Sequence, residues 1–224
     1  MSERKPSQSA GIEYVFTGSD WTHEDKQAYI QRLPRIFSLV RIALQNLGVF
    51  DESLPRVLLE RVTGVRKHPA GICYNGDTYL VSVKDNHLSG DAYATLQSHT
   101  QVNVHESMHA FRHRVCSSDD AFELAATEGI ACFAHEATMQ SFFSADTGIR
   151  EAVEEWGEVK LDRKFQQFIS EVESVNYRAV RERWFEETHV GYILGLWRVD
   201  CLIGEGASLT EIIQMPTADV LGVA

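Results

Sequence analysis

The sequence has little of several features that would assign it to a specialised class of protein. Its four cysteines are widely spaced and form no Cys-x-x-Cys pair, so we expect neither a zinc ribbon nor a dense disulfide framework. Apolar runs are short, and none approaches the roughly 20 residues that a membrane-spanning helix needs. We therefore expect a soluble protein whose cysteines are reduced and mostly buried.

Positive charge is also scarce. The chain has 21 lysines and arginines against 32 acidic residues, a formal net charge of -11, which opposes binding to a polyanion. The first ten residues contain no apolar segment that would direct secretion. We expect a cytoplasmic protein with no nucleic-acid partner and no membrane attachment.

The apolar and charged fractions, 44% and 24%, are those of an ordinary globular protein. We predict a tail over residues 1–21, in which Tyr14-Val15-Phe16 could pair briefly as a strand, and one domain over residues 22–224 that is long enough to bury a sizeable core. Within that domain, residues 22–115 would form an N-terminal subdomain and residues 116–224 a helical C-terminal subdomain.

Helical spacing of apolar residues predicts a long first helix that begins after an N-cap at Thr22 and ends near Leu47, with Pro34 kinking or splitting it. Three strands are then predicted, over 55–62, 71–74 and 78–83, the last two joined by an Asn-Gly-Asp turn. The second strand of this hairpin is either an exposed edge that binds an extended peptide or a purely structural strand.

Two further helices follow. The first runs from about Thr100 to Arg114, and apolar residues at Val104, Met108, Phe111 and Val115 predict its core-facing stripe. The second begins after Asp119-Asp120 and covers residues 121–143. Its small residues, including Gly129, would let it pack closely against the preceding helix.

The first of these helices carries His105-Glu106-Ser107-Met108-His109. Residues four apart on a helix share one face, so both imidazoles can bind one metal ion. Glu106 flanks this pair, where a general base that acts on a metal-activated water is needed. The pattern predicts a zinc hydrolase site.

Glu128 follows His109 after eighteen intervening residues and opens Glu128-Gly129-Ile130-Ala131. In this spacing the chain resembles the gluzincin zinc metallopeptidases. The order of long helix, short strands, HExxH helix, glutamate helix and a late Gly191-Tyr192-x-x-Gly195 is similar to that of small predicted zinc proteases of bacteria.

The resemblance implies that His105, His109 and Glu128 hold Zn²⁺ and that Glu106 is the catalytic base in peptide-bond hydrolysis. It implies a zincin-like, mainly helical α+β fold, with a small sheet above the metal helix, a C-terminal helical subdomain and the active-site cleft between them. It also implies a peptide or protein substrate. Gluzincins commonly take an oxyanion donor from the C-terminal part; Tyr192 is the candidate, with His189 behind it, and simple packing of Tyr192 is an equal alternative.

The sequence departs from the family pattern at several positions. Cys132 occupies the place where thermolysin-like enzymes have an aspartate, so the partner that orients a ligand is unidentified. Val115 stands where metzincins need a third histidine, which argues against that family. The Gly-x-Met-Glu-Asn signature of aminopeptidase N-like enzymes is absent. His99, His113 and His135 are expected to be solvent-facing or hydrogen-bonded structural residues.

One alternative belongs to another functional class, a gluzincin-fold regulatory or binding module that holds zinc but has little or no general proteolytic activity. The short length motivates it, whereas the intact Glu106 favours catalysis. Imidazole and carboxylate ligands also accept Co²⁺ or Mn²⁺. The sequence leaves the oligomeric state and the cleavage specificity open.

Overall fold

The computed structural model describes residues 7–9, 12–18, 21–49, 54–61, 70–83, 92–118 and 120–223. The chain divides into two compact units, Met1–Arg114 and Val115–Ala224. The described residues are mainly helical and include one small mixed sheet, so the predicted mainly helical α+β class is confirmed.

The first unit contains one five-stranded sheet and two long helices. In chain order its elements are β1 (Ser7–Ser9), β2 (Ile12–Thr17), α1 (His23–Asn46), β3 (Arg56–Arg61), β4 (Ala70–Asn75), β5 (Thr78–Val83) and α2 (Ala92–His113). The strand order is β1-β2-β3-β5-β4, in which β2, β3 and β5 are parallel and the two outer strands are antiparallel to their neighbours. The predicted hairpin is confirmed as β4 and β5. Val62, the predicted end of the β3 strand, lies outside the described residues.

One face of this sheet forms the core. Tyr14 pairs with Val57, and Val57 pairs with Tyr79, so three buried side chains from three strands lie in one row. Tyr14 contacts Phe37 of α1, and the Tyr79 hydroxyl donates to Asn103 of α2. Both long helices therefore cover the same face of the sheet, which sets α2 against the central strands.

Helix α1 begins at the predicted N-cap, where the Thr22 side chain accepts from the amide of Asp25. It continues without interruption through Pro34, so the predicted split into two helices is wrong. The reason is burial: Leu33, Ile36 and their neighbours along the helix lie in the core, and this packing outweighs one missing backbone hydrogen bond.

The segment 1–21, predicted to be a tail, contributes β1 and β2 to the sheet. Ile12 and Tyr14 are 2% and 6% exposed, because β2 pairs in parallel with β3. The possible strand at Tyr14-Val15-Phe16 is therefore confirmed as part of β2. Its pairing partner lies more than 40 residues away, so nothing in the local sequence indicates that the segment joins the sheet.

The second unit is entirely helical in its described residues. Its elements are α3 (Ala121–Phe143), α4 (Ile149–Ser174), α5 (Tyr177–Arg181), a π-helix (Glu182–Glu187), α6 (Val190–Gly204), α7 (Leu209–Gln214) and α8 (Thr217–Leu221). The bounds of α3 match the prediction, and Asp120 caps it by accepting from the amide of Glu123 at 2.7 Å. Asp119 lies outside the described residues. Helix α4 is kinked at Gly157, whose φ is 63°.

Helices α3 and α6 pack backbone against backbone. A Cβ atom at Gly129 would lie 2.2 Å from the carbonyl carbon of Gly195, closer than real Cβ atoms approach. The small size of Gly129 therefore allows close contact between α3 and α6. The sequence had instead predicted that this glycine allows close packing against the metal helix. The packing buries α3 along most of its length.

Two smaller predictions concern cysteines and membrane insertion. All four cysteines are free thiols, as expected, although only Cys132 is fully buried. Among the described residues, no helix combines the length and the apolar character needed to cross a bilayer.

Candidate metal centre

His105 and His109 lie on successive turns of α2 with their rings in contact edge to face. The two Nε2 atoms are 3.0 Å apart, and the ring centroids are 4.7 Å apart at an interplanar angle of 71°. Both side chains are partly exposed. The adjoining side of the helix is anchored by Val104 and Met108, which are fully buried. Helix packing thus orients the histidine pair away from the core.

The core stripe of α2 ends sooner than predicted. Val104, Met108 and Phe111 are buried as expected, whereas Val115 is 53% exposed. The helix ends at His113, so the residues after it no longer follow helical spacing.

The nitrogen separation tests whether the pair suits a metal ion. Two ligands at about 2.0–2.1 Å from a tetrahedral zinc lie roughly 3.3 Å apart. The observed 3.0 Å separation of the His105 and His109 Nε2 atoms is close to that value. An imidazole nitrogen can hold a proton or bind a metal ion, and the separation of these two nitrogens is compatible with ligands of one metal ion.

Glu106 is 5% exposed and lies under the edge strand β4. A Cβ atom built on Gly71 would lie 2.2 Å from Glu106 Cγ and 2.3 Å from its Oε1. The backbone of β4 therefore rests directly on the glutamate side chain. Gly71 was not among the predicted site residues, because a glycine in a strand has no side chain whose chemistry would point to a site.

A buried polar network fixes this part of α2 to the sheet. The Tyr79 hydroxyl donates to Asn103 Oδ1 at 2.8 Å, and Asn103 Nδ2 donates to the carbonyl of His99 at 2.7 Å. One turn on, Ser107 Oγ donates to the carbonyl of Asn103 at 2.7 Å. Burial raises the pKa of Tyr79 well above its usual range; a hydrogen bond with Ser107 lowers it and the nearby Glu106 charge raises it. These groups are structural partners of the site that the sequence analysis missed.

Cys73 lies on the same face of β4 as Gly71. Its thiol donates to the carbonyl of Asn75 at 3.2 Å. Burial raises the pKa of Cys73 to about 12, with a further contribution from the negative charge of Glu106 and an opposing one from the hydrogen bond to Asn75. The thiol is therefore protonated at neutral pH.

In the second unit, Glu128 lies in the first half of α3 and is 9% exposed. It is followed at four-residue intervals by Cys132 and Glu136, both fully buried. Burial raises the pKa of Cys132 well above its usual range, and the charges of Glu128 and Glu136 raise it further. One helix edge thus carries three buried groups with metal-ligand chemistry.

The three histidines expected to be solvent-facing or hydrogen-bonded lie in one or the other of these settings, although His135 also belongs to a possible metal-ligand set. His99 is fully buried, and its Nδ1 is 2.7 Å from the hydroxyl of Tyr29. His135 is 5% exposed and lies 3.4 Å from Thr147 Oγ1. His113 is exposed at the end of α2.

Tyr192 lies in the first turn of α6, half-buried between aromatic rings. Its ring centroid is 5.7 Å from that of Phe185 and 6.0 Å from that of His189. His189 has a left-handed backbone, φ 56°, and its Nδ1 is 2.7 Å from the carbonyl oxygen of Phe185. Since a carbonyl can only accept, Nδ1 carries the hydrogen. A neutral His189 then offers an acceptor at Nε2, whereas the Tyr192 hydroxyl can donate.

Two sets of three side chains among the described residues qualify as possible metal-ligand groups. One is His105, His109 and Glu128; the other is His105, Cys132 and His135. The first set is the one that the sequence analysis predicted.

No family model and no curated protein matches the chain. The assignment of a function therefore depends on the chemistry of the site.

Proposed function

We propose that the protein is a zinc-dependent peptidase in which Glu106 is the general base. The observation that carries the proposal is the pair of His105 and His109 Nε2 atoms, 3.0 Å apart, on the helix that also presents the buried Glu106. In this proposal the family resemblance supplies the reaction class, and the site supplies the groups that the reaction needs.

The metal would be held by His105, His109 and Glu128, one of the two possible ligand sets. Two neutral imidazoles and one carboxylate leave a position of a zinc ion open, and zinc supplies Lewis acidity that lowers the pKa of a water molecule toward neutrality. This set is preferred over the one with Cys132 because it uses both histidines of the pair whose Nε2 atoms are 3.0 Å apart.

Glu106 would transfer a proton in both steps of the hydrolysis. It accepts a proton as the water oxygen bonds to the peptide carbonyl carbon, and it delivers that proton to the amine nitrogen as the carbon–nitrogen bond breaks. Burial under β4 limits the positions available to its carboxylate, which favours proton transfer along one path.

The substrate would bind along β4. Of the two predictions for the second hairpin strand, an exposed edge or a purely structural strand, the exposed edge is wrong, because β5 lies between β3 and β4. The outer strand among the described residues is β4. Ile72 and Tyr74 of β4 are 56% and 55% exposed. An extended peptide that pairs with this edge would gain main-chain hydrogen bonds. Ile72 and Tyr74 would add apolar contacts on the face of β4 opposite to the one that lies against Glu106. We therefore propose an unstructured peptide or protein segment as the substrate.

A panel of quenched peptides, assayed with zinc-loaded full-length protein, tests the proposal. Wild type and His113→Ala should cleave the same peptides, whereas His109→Ala should cleave none, because His113 lies one turn farther along the same helix but is exposed. Cleavage that survives in His109→Ala would contradict the proposal. Binding of peptides without cleavage by zinc-loaded wild type would favour the binding-module alternative.

A further inference from the structure

We propose that Gly71 is a positioning residue for Glu106, and that it is a glycine because a side chain there would displace the carboxylate of the base. The proposal goes beyond the proposed function in naming what holds Glu106. The effect of Gly71 on catalysis rests on the proposed function, whereas the contact between Gly71 and Glu106 does not.

Space is the reason for glycine at this position. A Cβ atom on residue 71 would lie 2.2 Å from Cγ, 2.3 Å from Oε1 and 2.4 Å from Cδ of Glu106, where about 3.0 Å is the practical lower limit. The backbone of Gly71 is an ordinary strand conformation and does not have a positive φ. Alanine would therefore introduce no backbone strain, and the three atoms nearest to its methyl group would all belong to Glu106.

The strand is held more firmly than the side chain. Gly71 and Ile72 pair with Val81 and Leu80 of the central strand β5. At the far end of β4, Arg114 Nε donates to the carbonyl of Gly76 at 2.7 Å, which ties the hairpin turn to the residue that follows α2. With the backbone fixed at both ends, the flexible end of Glu106 must move when residue 71 gains a methyl group.

A four-variant cycle on the full-length chain measures this contact directly. The variants are wild type, Gly71→Ala, Glu106→Ala and the double substitution, each unfolded with urea both as purified and after chelation. Alanine at position 106 lacks Cγ, Cδ and the carboxylate oxygens, which include the three atoms nearest to the added methyl group, and it therefore leaves room for that group. We expect Gly71→Ala to lower the unfolding midpoint in the wild-type background, and to lower it by less than half as much in the Glu106→Ala background.

A control substitution and the double variant distinguish an effect of the Gly71–Glu106 contact from a general effect of the substitution. Gly204→Ala, at a helix position with open space, should shift the midpoint equally in both backgrounds. If Gly71→Ala does not fold, Gly71→Ala combined with Glu106→Ala must fold, because the obstructing carboxylate is gone. Failure of that double variant, or additive effects in the cycle, would overturn the proposal.

The functional half is tested with zinc-loaded protein. Gly71→Ala should retain the zinc content of wild type and lose roughly 10²-fold or more in kcat, the usual contribution of a general base. Unchanged kcat would overturn the positioning role. If wild type itself holds no zinc, the proposed function fails, whereas the cycle on chelated protein still decides whether Gly71 positions Glu106.

Discussion

Gly195 of α6 lies against the backbone of α3 so closely that a Cβ atom there would be 2.1 Å from the carbonyl oxygen of Ala125 and 2.9 Å from Cα of Gly129. The backbone atoms of a helix cannot rotate away from an added methyl group as a flexible side chain can. Gly195→Ala must therefore separate two helices that bury each other, and we expect it to lower the free energy of unfolding by about 1–3 kcal/mol or more. Urea denaturation measures the loss.

The same helix provides the matched control. Gly204 is also in α6, but a Cβ atom there would meet nothing within 4 Å. Gly204→Ala should leave the stability unchanged or raise it by up to about 1 kcal/mol, since alanine restricts the unfolded chain and favours helix. Equal destabilisation by both substitutions would show that the contact at Gly195 is not what matters.

Glu106→Gln separates metal binding from catalysis. Glutamine has nearly the same size as glutamate, so β4 should pack as before, but it cannot accept the proton. We expect wild-type zinc content and a loss of roughly 10²–10⁴-fold in kcat on a cleaved peptide. Full activity in this variant would remove Glu106 from the role of base.

Tyr192 and His189 can be distinguished as oxyanion donors. Tyr192→Phe keeps the ring contact with Phe185 but loses the hydroxyl, and we expect kcat to fall roughly 10²–10³-fold with KM little changed. His189→Gln, which removes the bond to the Phe185 carbonyl, should have a smaller effect on kcat. The opposite ranking would assign the donor to His189, and no effect of Tyr192→Phe would leave Tyr192 with a packing role.

The rate at which the Cys73 thiol is alkylated should depend on the charge of Glu106. Its pKa of about 12 means that, at pH 8, it has roughly 10³-fold less thiolate than an ordinary cysteine, so alkylation should be correspondingly slow in the folded protein. Burial is the larger cause and the Glu106 charge the smaller. In Glu106→Gln the pKa should fall, and alkylation should begin at lower pH, while remaining slower than in the denatured chain. Peptide-resolved mass spectrometry across pH 7–10 measures this; identical profiles in the two proteins would show that Glu106 does not act on the thiol.

Local signals in the sequence were sufficient for much of the fold. The caps at Thr22 and Asp120 fixed where two long helices begin, because an N-cap side chain acts on amides within three residues. The histidine pair followed from helical geometry alone. Of the two effects predicted for Pro34, a kink or a split, the split did not occur, since burial of the surrounding helix outweighed the local cost of the proline.

Non-local pairing was beyond such signals. That β2 joins the sheet, and that β4 rather than β5 is the outer strand, depends on partners far along the chain. The same is true of Gly71 against Glu106 and of Gly129 against Gly195, in which the absence of a side chain carries the information. A single sequence does not show which glycine is needed for a close contact between two elements.

Metal analysis of full-length protein purified without chelator tests the central claim most directly. Wild type and His113→Ala should hold about one zinc per chain, whereas His105→Ala, His109→Ala and Glu128→Gln should each lose most of it, because a three-residue site seldom retains zinc after one ligand is removed. Wild-type protein without near-stoichiometric metal, or full zinc content in Glu128→Gln, would contradict the proposed centre.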